Sequence, residues 1–448
     1  MENVFMTFWN RNKIIFKSFF IGFLILLLLI PTFFIQQLVS ERQQRQREAV
    51  AEVSSKWAGS QTIAGLVIGI PYTETITDKD NTIKEIKKWA YFLPNKLDIH
   101  ARMIPEKRYR GIYQVIVYTT ELQVSGSYDS LHIEELNIPP ARIIWNEAAA
   151  FFDISDIRGL KEEVKVHIAG ADLDLVPGKF SSDQFKNALS ASLPAWFMAL
   201  SSGATAPGIS PARPAAPIDF STTIRLKGSQ DLLFVPLGKS SSVEVSSSWP
   251  NPSFTGTYLP DLRTVKDSGF VAEWKVLYLN RSYPQQWKDA TYDLESSAFG
   301  VNLIVPVDSY QQTTRSVKYA ILCILLTFTA FFLIEWIYTK AIHSMQYLLV
   351  GVALCIFYTL LLSFSEYIPF NGAYLIASMA TIGLISWYVK SILQSSKMSL
   401  FIACLLTVLY GFIFTLIQLQ DYALLMGSVG LFIALAVVMY FSRKIKWN

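Results

Sequence analysis

No cysteine occurs between residues 1 and 322; the three present, Cys323, Cys355 and Cys404, all lie in apolar segments of the last third. A disulfide framework is thereby excluded for the long middle region even in an oxidising compartment, and each thiol is left to behave as a small hydrophobe. Histidine is equally sparse. His100, His132, His167 and His343 stand singly, and neither H-E-x-x-H nor C-x-x-C occurs, so the clustered ligands of a metal site are missing. G-x-S-x-G and a phosphate-cradling glycine loop are missing as well. The expectation is a chain with no catalytic set, no cofactor and no metal.

Charge is also thin, at 17% of residues against 52% hydrophobic and 14% aromatic, a composition too apolar for a soluble protein of 448 residues. The formal net charge of +4 is unevenly placed. Residues 1–39 carry Arg11, Lys13 and Lys17 against Glu2, and residues 318–448 carry seven basic residues against Glu335, Glu366 and Asp421. The middle region holds 29 basic and 31 acidic residues, so the basic excess belongs to membrane flanks and nucleic acid is not expected as a partner.

Long apolar runs supply what the charge does not. Ala320 to Tyr338, Gln346 to Ser365, Ala373 to Val389, Leu400 to Gln418 and Tyr422 to Phe441 are each about long enough to cross a hydrocarbon core of roughly 30 Å as a helix. A sixth run, Ser18 to Val39, is uncharged and follows a basic start. A cleaved signal would have a shorter core with a small-residue site close behind it. The A-x-A here, Ala49 to Ala51, comes only after the charged run Glu41 to Glu48, so an uncleaved transmembrane helix is expected, with Pro31 tolerated as a kink. Ser40 to Lys56 is rich in helix formers and prolongs that helix as a solvated stalk.

From Thr62 the pattern shifts to alternation and to β-branched and aromatic residues. Thr62 to Tyr72, Gly111 to Leu122, Glu163 to Ile168, Ser221 to Leu226 and Ser242 to Ser247 are expected as strands. A helix is expected over Ser182 to Leu193, where Phe185, Leu189 and Leu193 recur at i, i+4 and i+8. Gly203 to Pro217 is a Pro/Ala/Gly loop or linker, and the region around it forms either one body or two subdomains. The expected fold class is thus a membrane protein of α + β type: an N-terminal transmembrane helix over 1–39, a large β-rich extracytoplasmic region over 40–317, and a C-terminal bundle of five transmembrane helices over 318–448. The short connections agree on a direction, since Lys340, Lys390 to Lys397 and Arg443 to Lys446 alternate with loops lacking Lys and Arg. Both termini are then expected in the cytoplasm, with residues 40–317 on the far side.

Several blocks also resemble the CreD family of inner-membrane proteins, described as cell-envelope integrity proteins. They are Val317 to Leu322, Leu326 to Phe332 with Glu335, His343 to Gly351 and Ser365-Glu366 in the helix block. Outside it they are Ser248 to Phe254, Gly256, Leu259-Pro260, Arg263, Gly269-Phe270, Ala272 and Trp274, with Glu41-Arg42 and Ile70-Pro71 nearer the start. Ser344 stands where such proteins often have Pro after the His, and Leu66 follows Gly65 where Gly-Pro is common. The resemblance implies an anchor, a large periplasmic region, a C-terminal helix bundle and a role in envelope stress in the inner membrane, with no established reaction.

Six residues are candidates for function. Glu335 and Glu366 are acids within or at the edge of apolar helices, where a proton relay or ligand role competes with interfacial anchoring. A carboxylate at a helix centre costs roughly 2.5 to 3.5 kcal/mol, which the Ile, Leu and Phe residues around Glu335 offset. His343 sits in a short turn without a second ligand nearby. Trp249, Phe254 and Trp274 mark an aromatic and proline-rich block suited either to a carbohydrate or peptide groove or to core packing. Expected partners are membrane lipids together with envelope proteins or cell-wall components. The leading reading is a non-enzymatic envelope protein with the helix block as platform. The rival is a transporter or membrane enzyme using Glu335, Glu366, Gln346, Ser363 and Asn371.

Overall fold

The computed structural model describes residues 2–77, 83–129, 131–180, 182–186, 188–194, 217–304, 309–338, 342–419 and 422–443. The expected linker at 203–216, Lys340, Asp421 and the basic tail at 444–446 lie outside the described residues. Two compact units result: Ala49–Pro306, and Met1–Glu48 together with Val307–Asn448.

Apart from the last turns of the N-terminal helix and short 3-10 turns, the described regular structure of the first of these units is β. Its strands are β1 (Gln61–Thr77), β2 (Ile83–Phe92), β3 (Lys96–Arg110), β4 (Tyr113–Tyr128), β5 (Ala149–Ile154), β6 (Val164–Ile168), β7 (Ala171–Pro177) and β8 (Leu189–Ser192). They continue with β9 (Ile218–Ser229), β10 (Asp231–Val235), β11 (Ser240–Ser247), β12 (Pro252–Gly256), β13 (Leu262–Lys266), β14 (Gly269–Leu277), β15 (Gln286–Lys288) and β16 (Phe299–Leu303). All five strands expected from alternation are present; β1, β9 and β11 are longer than expected, β4 is shifted, and β6 is one residue shorter.

β1 is central. It pairs antiparallel with β2 and β5 and parallel with β10, and every residue from Ile63 to Tyr72 is buried. Its near-continuous apolar run is what a strand covered on both faces requires. β9 and β14 are covered on one face, and their buried and exposed residues alternate accordingly. Between the layers the rings of Trp89, Tyr91, Phe151 and Phe185 interlock; Phe151 stacks on Phe185 with centroids 5.6 Å apart.

One expectation fails here. The described residues of 182–193 form no helix: Leu189–Ser192 is β8, paired antiparallel with β5 and β7. Phe185, Leu189 and Leu193 are buried as expected, yet within the β core. Three apolar residues are too few to separate a helical from a strand period, and pairing with β5 and β7 decides the matter.

The other unit holds the helices α1 (Glu2–Trp57, whose last turns belong to the β unit), α2 (Ser309–Lys318), α3 (Ala320–Tyr338), α4 (Ser344–Ser365), α5 (Phe370–Leu393), α6 (Ser396–Gln418) and α7 (Ala423–Ser442). Among the described residues five helices are long and apolar enough to cross a membrane, and six if α2 and α3, bent by 41°, form one span. The expected span at 320–338 is thus preceded by a helical arm carrying Arg315 and Lys318. None of the described residues of α7 is buried, as suits a helix apolar all round and facing lipid.

Two predictions concern the β unit. A Cβ on Gly126 would lie 2.2 Å from the Lys96 carbonyl oxygen and 2.6 Å from Phe220 Cζ, so the backbone itself must move. Gly126→Ala is expected to cost about 1–3 kcal/mol, measured by thermal unfolding of the purified full-length protein. Asp156 accepts the Gly59 N–H at 2.9 Å and is gripped by Arg158, whose hydrogen bonds hold its carboxyl down to about 2. A depressed carboxyl contributes stability above its unfolded value of 3.8 and loses it as pH falls through the folded value. The destabilisation caused by Asp156→Asn should therefore be full at pH 7 and vanish between about pH 4 and pH 2.

Candidate functional site

The helix bundle is where the two predicted acids lie, and α1 is the element that meets both. Within the apolar run of α1 the buried residues are Ile21, Leu24, Leu28, Thr32, Ile35 and Val39, spaced by three and four. This is one stripe, and its Ile21, Leu24, Leu28 and Ile35 join a cluster with Phe328, Phe331, Tyr347 and Leu354 of α3 and α4. The helices come close at Gly351, where a Cβ would stand 2.2 Å from Leu28 Cδ1. Cys355 Sγ lies 3.9 Å from the Leu28 carbonyl oxygen. The first apolar run is therefore a packed member of the bundle as well as an anchor, a point its composition alone did not reveal. Small residues at such contacts let helices come together where water supplies no driving force.

At one end of the stripe Lys17 forms an ion pair with Glu335, whose side chain is only 15% exposed. The same carboxylate accepts the Tyr347 hydroxyl at 3.0 Å and the Ile342 N–H at 3.2 Å. Lys17 Nζ also donates to the Ile342 carbonyl oxygen at 2.8 Å and sits 5.8 Å from the centroid of the Tyr347 ring. Three segments, α1, α3 and the start of α4, are joined through one carboxylate. At the other end Arg42 Nε lies 3.5 Å from Glu366 Oε1, which is buried and makes no hydrogen bond, so charge alone holds the contact. From Lys17 to Arg42 α1 rises about 37 Å, a little more than a hydrocarbon core of roughly 30 Å. The two pairs thus sit at opposite ends of the span, where charged side chains reach the interfaces.

Of the remaining candidates, His343 is a helix cap. Its Nδ1 accepts the Met345 N–H at 3.2 Å, while Gln346 Oε1 accepts the His343 N–H at 2.9 Å. Ser344 then occupies the first helical position, where proline is favoured because no hydrogen bond is lost. The replacement of a common proline there leaves the cap intact. Trp249, Phe254 and Trp274 are parts of the β core: Trp274 Nε1 donates to the Tyr258 carbonyl oxygen at 3.2 Å, and Trp249 Nε1 to that of Ile304 at 2.9 Å. Phe254 meets Phe270 and Trp274 edge-on. The polar edges of the two tryptophans are bound by backbone, and Trp249 and Trp274 are buried in the core cluster with Phe254 packed against it.

Gln346, Ser363 and Asn371 share no site either. Gln346 caps α4, Ser363 is exposed, and Asn371 Oδ1 accepts from Gln418 Nε2 at 2.7 Å. One group went unnoticed in the sequence. The buried hydroxyls of Thr327, Tyr358 and Tyr410 gather around the Cys323 thiol without hydrogen-bond geometry. Nothing but their recurrence in apolar segments marks them. Among the described residues no carboxylate or imidazole figures in the surroundings of Cys323. Among the described residues no three His, Cys, Asp or Glu side chains stand close enough to hold a metal ion.

Spans of this length and number beside a separate β unit define a multi-spanning membrane protein. The family model described as Inner membrane protein CreD matches residues 13–448. The chain is also 32% identical over 429 residues to Inner membrane protein CreD of Escherichia coli (strain K12), covering 94% of this chain and 91% of that one. It belongs to the CreD family of inner membrane proteins.

If Lys17 and Glu335 stabilise one another, a double-mutant cycle of Lys17→Met and Glu335→Gln on the detergent-solubilised full-length protein should show coupling of about 1–3 kcal/mol. Either single change alone is expected to lower the unfolding temperature more than the double change does.

Proposed function

We propose that this protein acts without catalysis in maintaining the cell envelope, with both termini in the cytoplasm and residues 40–317 on the periplasmic side, where they contact envelope proteins or cell-wall and lipid components. The observation that carries the reading is the use of Glu335 and Glu366. Each is engaged by a basic residue of α1, at opposite ends of the span, as anchoring acids would be and as the members of one proton path would not. The same pairing supports the orientation. Lys17 and the α3–α4 connection share one end of the bundle, Arg42 and the α4–α5 connection the other, in agreement with the alternation of basic and uncharged loops. The name of the Escherichia coli relative supports the inner membrane as location and no particular reaction.

The distinguishing experiment removes both charges of one pair. In a strain lacking the protein, full-length chain carrying Lys17→Met with Glu335→Gln is expected to restore resistance to detergent and dye entry as the unmodified chain does. Loss of that protection, with normal protein level in the membrane, would favour a relay through Glu335. Protease added to cells with a permeabilised outer layer should cut within residues 40–317; full protection of that region would overturn the orientation.

A further inference from the structure

The β3–β4 hairpin ends in a two-residue turn, Gly111-Ile112, made possible by a left-handed Gly111 with φ of 59°. Strand pairing continues to its last residues, Arg110 opposite Tyr113, yet everything from Glu106 to Ile112 is exposed. A well-paired ribbon projecting beyond its own core needs an explanation. Its tip is both greasy and basic: Tyr109 is 66% exposed and Ile112 40%, and Lys107, Arg108 and Arg110 stand beside them.

The surroundings of the tip show which end of the β unit it occupies. Arg108 and Lys227 lie 5.0 and 4.4 Å from the centroid of the Trp57 ring, and Arg110 Nε bonds Glu52 at 2.9 Å. Those partners, Glu52 and Trp57, belong to the last turns of α1, 13 and 18 residues after the apolar run ends at Val39. Lys107 Nζ lies 5.7 Å from the centroid of Trp249, whose Nε1 bonds the Ile304 carbonyl oxygen, where the chain leaves the unit toward the next apolar segments. Entry and exit of the chain thus flank the hairpin tip. The tip belongs to the end of the β unit at which the chain enters and leaves it.

We propose that this tip is a lipid contact, in which Tyr109 and Ile112 enter the headgroup layer and Lys107, Arg108, Arg110 and Lys227 face anionic phosphates. Basic residues outnumber Glu106 and Glu52 there, so the local charge suits an anionic bilayer surface. An amphipathic tyrosine beside an aliphatic residue is suited to the boundary between headgroup and acyl chain. The inference does not depend on which side of the membrane the unit occupies, so it stands or falls apart from the proposed function.

Full-length protein with Cys404→Ser and Ile112→Cys, carrying a nitroxide, tests it in nanodiscs holding one copy. Cys323 and Cys355 are buried and remain unlabelled. Lys96, at the opposite end of β3 by about 46 Å of strand, provides the control as Lys96→Cys. In bilayers containing phosphatidylglycerol, the Ile112 label is expected to be relaxed more by oxygen than by a water-soluble nickel chelate, with the reverse for Lys96. Replacing phosphatidylglycerol by phosphatidylcholine, or raising the salt, should shift the Ile112 label toward the chelate. A label at Ile112 as chelate-accessible as that at Lys96 in anionic bilayers overturns the proposal. So does oxygen preference that ignores lipid charge, which would mark an apolar contact without headgroup recognition. Tyr109→Cys, labelled in the same way, gives an independent reading should the first variant fold poorly.

Discussion

An ammonium or carboxylate carried into an apolar layer must keep its water, find its counter-charge or lose its charge, and Lys17 and Glu335 take the second course. Much else in the helix unit follows from that pairing. It selects which face of α1 turns inward, and that face carries Ile21, Leu24, Leu28, Ile35 and Val39. It draws Tyr347 and the Ile342 backbone onto the same carboxylate, so the α3–α4 turn is set by the same group. The His343 cap then starts α4 with its first N–H groups bonded. Arg42 and Glu366 repeat the arrangement with a longer contact, and so fix the length of α1 that lies within the bundle.

The β unit solves a different problem with similar means. It has no disulfide to limit its unfolded state, and instead buries large aromatic rings whose polar atoms are bonded to backbone. Tyr128 donates to the Leu66 carbonyl oxygen and Tyr118 to that of Asp231, both at 2.5 Å, from fully buried positions. These two hydroxyls tie β4 to β1 and to β10 at defined points, each meeting a backbone acceptor. The aromatic block around Trp249 and Trp274 belongs to this scheme. Its density in prolines and rings reflects packing at turns, and the exposed chemistry of the unit lies elsewhere.

What was legible in the sequence follows physical lines. Apolar length marks the spans of α4 to α7 directly, because the bilayer imposes one dimension on all of them. The continuous apolar run of β1 and the alternation of β9 were equally plain. β3 was not, since Lys96 to Arg110 places seven charged residues along one ribbon and only Leu97, Ile99, Ala101 and Met103 reveal a period of two. At β8 three apolar residues fitted a helix as well as a strand. The acids Glu335 and Glu366 were visible as oddities, and their positions near opposite interfaces were too. Their partners were not, because Lys340 is the nearer cation in sequence to Glu335 whereas Lys17 is its neighbour in space. Pairing of this kind is a property of the packed bundle and leaves no trace in local spacing.

The same separation bears on how the molecule comes to exist. Lys17 and Glu335 are 318 residues apart. At ordinary translation rates roughly 15 to 60 s pass between the synthesis of one and the other. For that interval α1 lies in the bilayer with its buried stripe facing lipid and its lysine without its final partner, while the whole β unit is made. β1 also waits, since its parallel neighbour β10 begins some 170 residues later. The nascent chain is therefore a long-lived intermediate with an unfinished helix face and an open central strand, and surveillance factors in the membrane have about a minute in which to act on it.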